Sequence, residues 1–148
     1  MKKVVLYGAG AVFQNVIKML NPRKCQVIAI VDKNAGKKVD VPQRGLWWDI
    51  PASWAGETVS PMLLKELEFD YVLLCSDWYV DEMRSNLLKL GIPDNKIISA
   101  SNNDFDFNYR HFYVSLLYGR NTSNSHKALV DLTDCEIFDH IICRELMV

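Results

Sequence analysis

The chain opens on a short apolar run, Lys3-Val4-Val5-Leu6-Tyr7, that ends at Gly8. Such a run, with no polar alternation, predicts a strand buried on both faces. The period then changes. Val12, Phe13, Val16, Ile17 and Leu20 share one helical stripe, which predicts a helix from Ala11 to Leu20, stopped by Asn21-Pro22. Gln26 to Val31 is a second apolar strand, closed by Asp32. Strand, helix and strand within about thirty residues form a βαβ unit, with parallel strands and a right-handed crossover expected.

From Lys33 to Ser60 the pattern is irregular, punctuated by Gly36, Pro42, Gly45, Pro51 and Gly56. Ser60-Pro61 predicts a capped short helix through Leu67. Asp70 to Cys75 (DYVLLC) is a third buried strand, and Val80, Met83, Leu87 and Leu90 then repeat at helical spacing. Gly91-Ile92-Pro93 should end that helix, with Gly91 in the left-handed position, Ile92 covering the last turn and Pro93 forbidding continuation. Lys96-Ile97-Ile98 reads as a further strand. Alternating strands and helices of this kind predict an α/β fold, a doubly wound and mostly parallel five-stranded sheet. Past Ser99 the alternation stops. Tyr109, Phe112, Tyr113, Leu116 and Leu117 form one helical stripe, and Ile137, Phe138, Ile141 and Ile142 another. The expected division is a module over residues 1–100 and a helical extension over 101–148.

Composition narrows the function classes. At 148 residues the chain fits one domain. Seventeen Lys and Arg against 18 Asp and Glu exclude a basic nucleic-acid footprint over the whole chain. No apolar stretch approaches the ~20 residues that cross a bilayer. Lys2-Lys3 before Val4 to Phe13 imitates a short signal peptide, but two glycines interrupt it and no cleavage site follows Gln14-Asn15. Cys25, Cys75, Cys135 and Cys143 contain no CxxC pair, so reduced thiols and a cytoplasmic location are expected, with the sequon at Asn121 a coincidence.

Candidate chemistry centres on Gly8-Ala9-Gly10-Ala11-Val12-Phe13, between the first strand and the first helix. In a dinucleotide loop the first glycine makes a tight turn, and the second lets backbone N–H groups approach a pyrophosphate at the helix N-terminus. Phe13 stands where a third glycine would allow close helix–strand packing, so it should widen that spacing or push a ligand outward. Asp32, 22 residues after Gly10, is placed to hold ribose hydroxyls and disfavours a 2′-phosphate, which prefers NAD over NADP. S-adenosylmethionine (SAM) sites use a similar loop and acid. The plainer reading is that Gly8 and Gly10 only shape a βα turn and Asp32 only caps the segment after it. Lys33 joins the candidate set beside Asp32, although with Lys37, Lys38 and Arg44 a solvated loop charge is its simpler role.

Ser76, at the carboxyl end of the third strand, is a candidate ligand contact without the GxSxG elbow of a nucleophile, and Asp77 is expected to cap the next helix. Trp47, Trp48 and Trp54 are expected to pack on the sheet or a partner rather than stack on a base. Cys135, His140 and Cys143 lack metal-ligand spacing, so no metal site is expected. His111 reads as a helix-surface residue. No catalytic constellation emerges.

The frame KVVLYGAGAVFQNVIKML, VIAIVDKN, VSPMLLKELEFDYVLLCS and LLKLGIPDNKII resembles the Rossmann-like nucleotide-binding modules of bacterial polysaccharide and nucleotide-sugar proteins, over residues 2–100. The segment ALVDLTDCEIFDHIICREL, Ala128 to Leu146, is similar to the connector that joins such a module to the SAM-dependent domain of some FkbM-type methyltransferases. The resemblance implies an N-terminal accessory domain that binds NAD or a nucleotide-sugar, with a methyltransferase domain expected beyond Val148. Gly8, Gly10 and Ala11 would hold phosphate through backbone N–H groups, with Ala9, Val12 and Phe13 completing the candidate cofactor-binding loop. Asp32 would hold the ribose, with Lys33 beside it in the candidate set, and Ser76 would line the cleft. Two rivals predict different things. A small NAD-dependent oxidoreductase or epimerase fragment would need a Tyr-x-x-x-Lys motif, which is absent. A homodimeric interaction domain would have an empty cleft with Phe13 filling the phosphate position.

Overall fold

A computed structural model of the protein describes residues 1–45, 48–76, 78–99, 128 and 131–133. The helices expected over 109–117 and 134–146 lie outside these residues, as do Trp47, Asp77 and His111.

Strand β1 (Lys2–Tyr7) leads through helix α1 (Ala11–Met19) to β2 (Cys25–Val31). Two short strands, β3 (Lys38–Val39) and β4 (Gly56–Glu57), pair antiparallel as a separate ribbon. Strand β5 (Tyr71–Leu74), helix α2 (Val80–Lys89) and β6 (Ile97–Ser99) complete the order. The sheet runs β2-β1-β5-β6, and all three pairings are parallel. Among the described residues it has four strands where five were expected. The outer edge of β2 carries instead a single parallel bridge from Val59 to Val31, with the Val59 N–H donating to the Ile30 carbonyl at 2.8 Å. Pro61, two residues on, begins a 3₁₀ helix, so this stretch cannot lengthen into a strand.

The sheet is covered on both faces. Val4, Leu6 and Leu73 pack with Phe13, Val16 and Ile17 of α1 on one side. Val5, Tyr7, Val72 and Leu74 pack with Leu87 of α2 on the other, where Val80 and Met83 close the edge of the cluster. Burial on both faces is why β1 and β5 read as unbroken apolar runs. In β2 the pairing slips by one residue between Val4 and Val5 of β1, leaving Ile28 as a bulge. Cys25, Val27 and Ile30 therefore serve the α1 face, while Ile28, Ala29 and Val31 serve the α2 face.

Helix α2 ends as its sequence predicts. Gly91 has φ 88°, its N–H donates to the Leu88 carbonyl, and the Ile92 N–H donates to the Leu87 carbonyl. These are the two bonds of a Schellman cap, with Ile92 buried over the last turn. The helix expected after Ser60 is a 3₁₀ helix, Pro61–Glu66, capped by the Ser60 hydroxyl, which accepts from the Met62 N–H at 3.3 Å. Only Leu64 of its six residues is buried, too little apolar contact to hold a full α-helical turn.

At the amino ends of the strands, helical residues Ala128 and Leu132 are buried against the sheet, followed by buried Thr133. The Asn21 N–H donates to the Leu132 carbonyl at 2.8 Å, and Lys24 Nζ to the Thr133 carbonyl at 2.8 Å. The Tyr71 hydroxyl donates to the Asp131 carboxylate at 2.5 Å. Burial, and then the Asp131 carboxylate that accepts this bond, push the Tyr71 hydroxyl well above its ordinary ionisation range.

Candidate functional site

The carboxyl ends of β1, β2 and β5 converge on Gly8. Its N–H donates to the Val31 carbonyl at 2.8 Å, and beside it the Cys75 N–H donates to the Tyr7 carbonyl at 2.7 Å. Gly8 has φ +105°, and a Cβ there would lie 2.7 Å from the Cys75 carbonyl oxygen. Both the dihedral and the close approach require glycine. Gly10 differs. It sits at the N-cap of α1 with φ −96°, no side chain caps the helix, and a Cβ there would meet nothing within 4 Å. Internal packing explains Gly8 and leaves Gly10 facing open space.

A cleft of about 300 Å³ opens beside this turn, lined by Tyr7, Asp32, Lys33 and Asn34 on one wall and by residues of the α2 region on the other. Asp32 is half-buried, and its carboxylate accepts the Asn34 N–H at 3.0 Å, so the side chain is held at the strand end by its own turn. The facing wall is Tyr79, Glu82, Met83 and Asn86. The Lys33 ammonium reaches across to lie 5.9 Å from the centre of the Tyr79 ring. Met83 belongs to both the cleft and the turn, since its Cε would lie 3.5 Å from a Cβ on Gly8. Trp78, adjoining Tyr79, is 88% exposed.

The predicted residues separate by environment. Asp32 and Lys33 line the cleft, and Gly8 is buried next to the lining residue Tyr7. Gly10 and Ala11 are exposed at the α1 N-terminus, whereas Ala9 packs partly buried against the α1-side core. Val12 and Phe13 are core residues, Phe13 with 0% exposure among Val16, Ile17 and the sheet. Phe13 thus packs in the interface between α1 and the sheet. Ser76 stands apart from these. It is buried, it does not line the cleft, and its hydroxyl oxygen accepts the Trp78 and Tyr79 N–H groups at 3.2 and 3.0 Å. That turn presents Tyr79 to the cleft, so Ser76 is a positioning residue.

Sequence reading missed Tyr7, Asn34, Tyr79, Glu82, Met83 and Asn86. The available signal was the spacing of Tyr79, Glu82, Met83 and Asn86 at i, i+3, i+4 and i+7, one face of a helix beginning at the carboxyl end of a strand.

The remaining candidates serve the fold. Trp54 is buried in the core beside β2. Burial pushes the Cys25 thiol up to about 12 and the Cys75 thiol higher still, so neither is a ready nucleophile. Among the described residues no group of three or more His, Cys, Asp or Glu side chains could hold a metal, and no helix is long and apolar enough to cross a membrane.

A family model described as "C2185-like, N-terminal" matches residues 55–98. The matched stretch runs from β4 through β5 and α2 into β6, so it includes the Tyr79–Asn86 wall and leaves out Gly8 and Asp32. No curated protein matches the chain.

Proposed function

We propose that this chain is a Rossmann-like nucleotide-binding module that holds a nucleotide or nucleotide-sugar and acts as an accessory domain. One observation carries the reading. A cleft lined by Asp32 and by Tyr7, the residue before Gly8, lies at the carboxyl ends of parallel strands, where α/β sheets take their ligands. The nucleoside end of the ligand would occupy the cleft, with its ribose hydroxyls on Asp32. Its phosphates would run over Gly8, Ala9 and Gly10 to the first-turn N–H groups of α1, where the helix dipole favours negative charge. The open space before Gly10 supports that path. The cleft's size sits at the lower end of the range for small-molecule sites, about 300–1,000 Å³, as expected if it takes only part of an extended ligand such as NAD or a nucleotide-sugar.

The accessory role draws on the absence of a catalytic constellation among the residues lining the cleft and on the word "N-terminal" in the description of the matched family. In this reading the module serves a SAM-dependent methyltransferase of surface-polysaccharide synthesis.

The test is calorimetry of the full chain against NAD, NADP, SAM and nucleotide-sugars, repeated with Asp32→Asn and Gly10→Ala. Asp32→Asn keeps an oxygen for the Asn34 N–H while losing the charge and one acceptor. Binding of NAD or a nucleotide-sugar, weakened about tenfold or more by either variant, is the expected result. Gly10→Ala should cost no more than about 1 kcal/mol of stability, the loss of a modest N-cap. A chain that binds none of these ligands, or binds them with both variants silent, refutes the reading.

A further inference from the structure

Resting on the nucleotide-binding reading above, we propose that the cleft selects guanine, with Glu82 reading the base. The two walls differ in what they offer a planar ring. Tyr79 and Met83 supply an aromatic face and a soft apolar edge, suited to stacking. Beyond them, Glu82 and Asn86 stand one helical turn apart on α2 and line the same cleft. Among the described residues neither side chain has a hydrogen-bond or ion-pair partner. Asp32 already occupies the ribose end of the opposite wall, so the α2 wall falls to the base.

The donor and acceptor pattern then separates the four bases. A carboxylate offers two adjacent acceptors and no donor. Guanine presents two adjacent donors, N1–H and the N2 amino group, and satisfies both oxygens. Adenine and cytosine present one amino donor beside a ring-nitrogen lone pair, which faces the second oxygen with like charge. Uracil presents a single N–H between two carbonyls. The other edge of guanine carries the O6 and N7 acceptors, the pair that lysine and arginine most often recognise. Lys33, the lysine lining the cleft from the β2 side, would meet that edge once the base replaces its ammonium over the Tyr79 ring. Acceptors on α2 and a donor on the β2 side thus complement guanine from both directions. Within the ligands considered above, this favours a guanine nucleotide-sugar over NAD and SAM, which carry adenine.

The experiment titrates the full chain with GDP, ADP, CDP and UDP by calorimetry, in parallel with Glu82→Gln and Asp32→Asn. Glu82 is exposed and unpartnered, so its variant folds as the parent does. The expected result is GDP bound about tenfold or more tighter than the other three, the scale of one well-formed bidentate base contact. Glu82→Gln should erase that preference by weakening GDP while leaving ADP and CDP unchanged or tighter, since an amide offers one acceptor beside one donor. Asp32→Asn weakens all four together. Equal affinities, a preference for another base, or a guanine preference untouched by Glu82→Gln overturns the assignment. If these outcomes come with an Asp32→Asn effect on every nucleotide, the nucleotide site itself stands. No binding of any diphosphate removes the nucleotide reading and this proposal with it.

Discussion

The two ends of the parallel sheet treat their polar groups in opposite ways. At the amino end they are used up within the fold. The Asp70 carboxylate accepts the Lys3 N–H at 2.7 Å, Lys96 Nζ donates to the Phe69 carbonyl, Asn21 donates to Leu132, and Tyr71 donates to Asp131. At the carboxyl end, Glu82 and Asn86 face a cleft with no partner among the described residues, and Asp32 keeps one carboxylate oxygen beyond the one that holds its turn. Hydrogen bonds that are made inside a protein contribute roughly 1 kcal/mol each, whereas polar groups left to water contribute little. The amino end therefore uses these side chains for stability, whereas the carboxyl end leaves Glu82, Asn86 and one Asp32 oxygen available to a ligand.

Gly8 is the point at which that separation breaks most severely. Gly8→Ala forces a Cβ against the Cys75 carbonyl at φ +105°, and it should lower stability by about 2–5 kcal/mol while also deforming the cleft. Denaturant unfolding and ligand titration on the same sample check both halves. A variant with parental stability would contradict the packing described for the turn.

Alkaline pH attacks the fold through buried groups near both ends of the sheet. Cys25, Cys75 and Tyr71 are held protonated by burial, whereas the unfolded chain ionises its thiols near ~8.5 and its tyrosines near ~10. Above those values the unfolded state binds fewer protons, so stability falls as pH rises. For Cys25 the fall begins near ~8.5 and continues to its folded value of about 12. Below ~8 these groups contribute no slope. Each thiol adds up to about 1.4 kcal/mol per pH unit. Urea midpoints from pH 7 to 11 should drop accordingly, and Cys25→Ala should lower the midpoint at pH 7 yet flatten the alkaline decline. An unchanged slope in that variant would show that Cys25 is not a source of it.

Tyr71→Phe makes the smallest and cleanest cut. It removes the donor to Asp131 and leaves the cleft untouched, so stability should fall by about 1–3 kcal/mol with nucleotide affinity unchanged. A loss of affinity in a folded Tyr71→Phe chain would mean that the two ends are coupled.

Much of the fold was legible in the sequence because its signals are local. Apolar runs place β1, β2 and β5, and Gly91-Ile92-Pro93 spells the Schellman cap of α2. The bulge at Ile28 was not legible. All seven positions of β2 except Gln26 are apolar, so nothing in their order says which face each one serves. The site was half legible. Gly8 and Asp32 announce themselves through turn chemistry and strand ends. Phe13 packs in the helix–sheet interface, which its apolar bulk in a helical stripe already suggested. Tyr79, Glu82 and Asn86 were hidden because α2 was read through its buried stripe, and Met83 belongs to that stripe and to the cleft at once.

The contacts made by residues 128–133 also bear on timing. Lys24 and Thr133 are 109 positions apart in the chain, and Tyr71 and Asp131 are 60 apart. The pairing of β1 with β2 spans only a βα crossover, but Lys3 and Asp70, where β1 meets β5, are 67 positions apart. Closing a longer loop carries a larger entropy loss. By that measure only the β1–α1–β2 unit closes cheaply, and the β1–β5 pairing that completes the sheet is as long-range as the Tyr71–Asp131 bond.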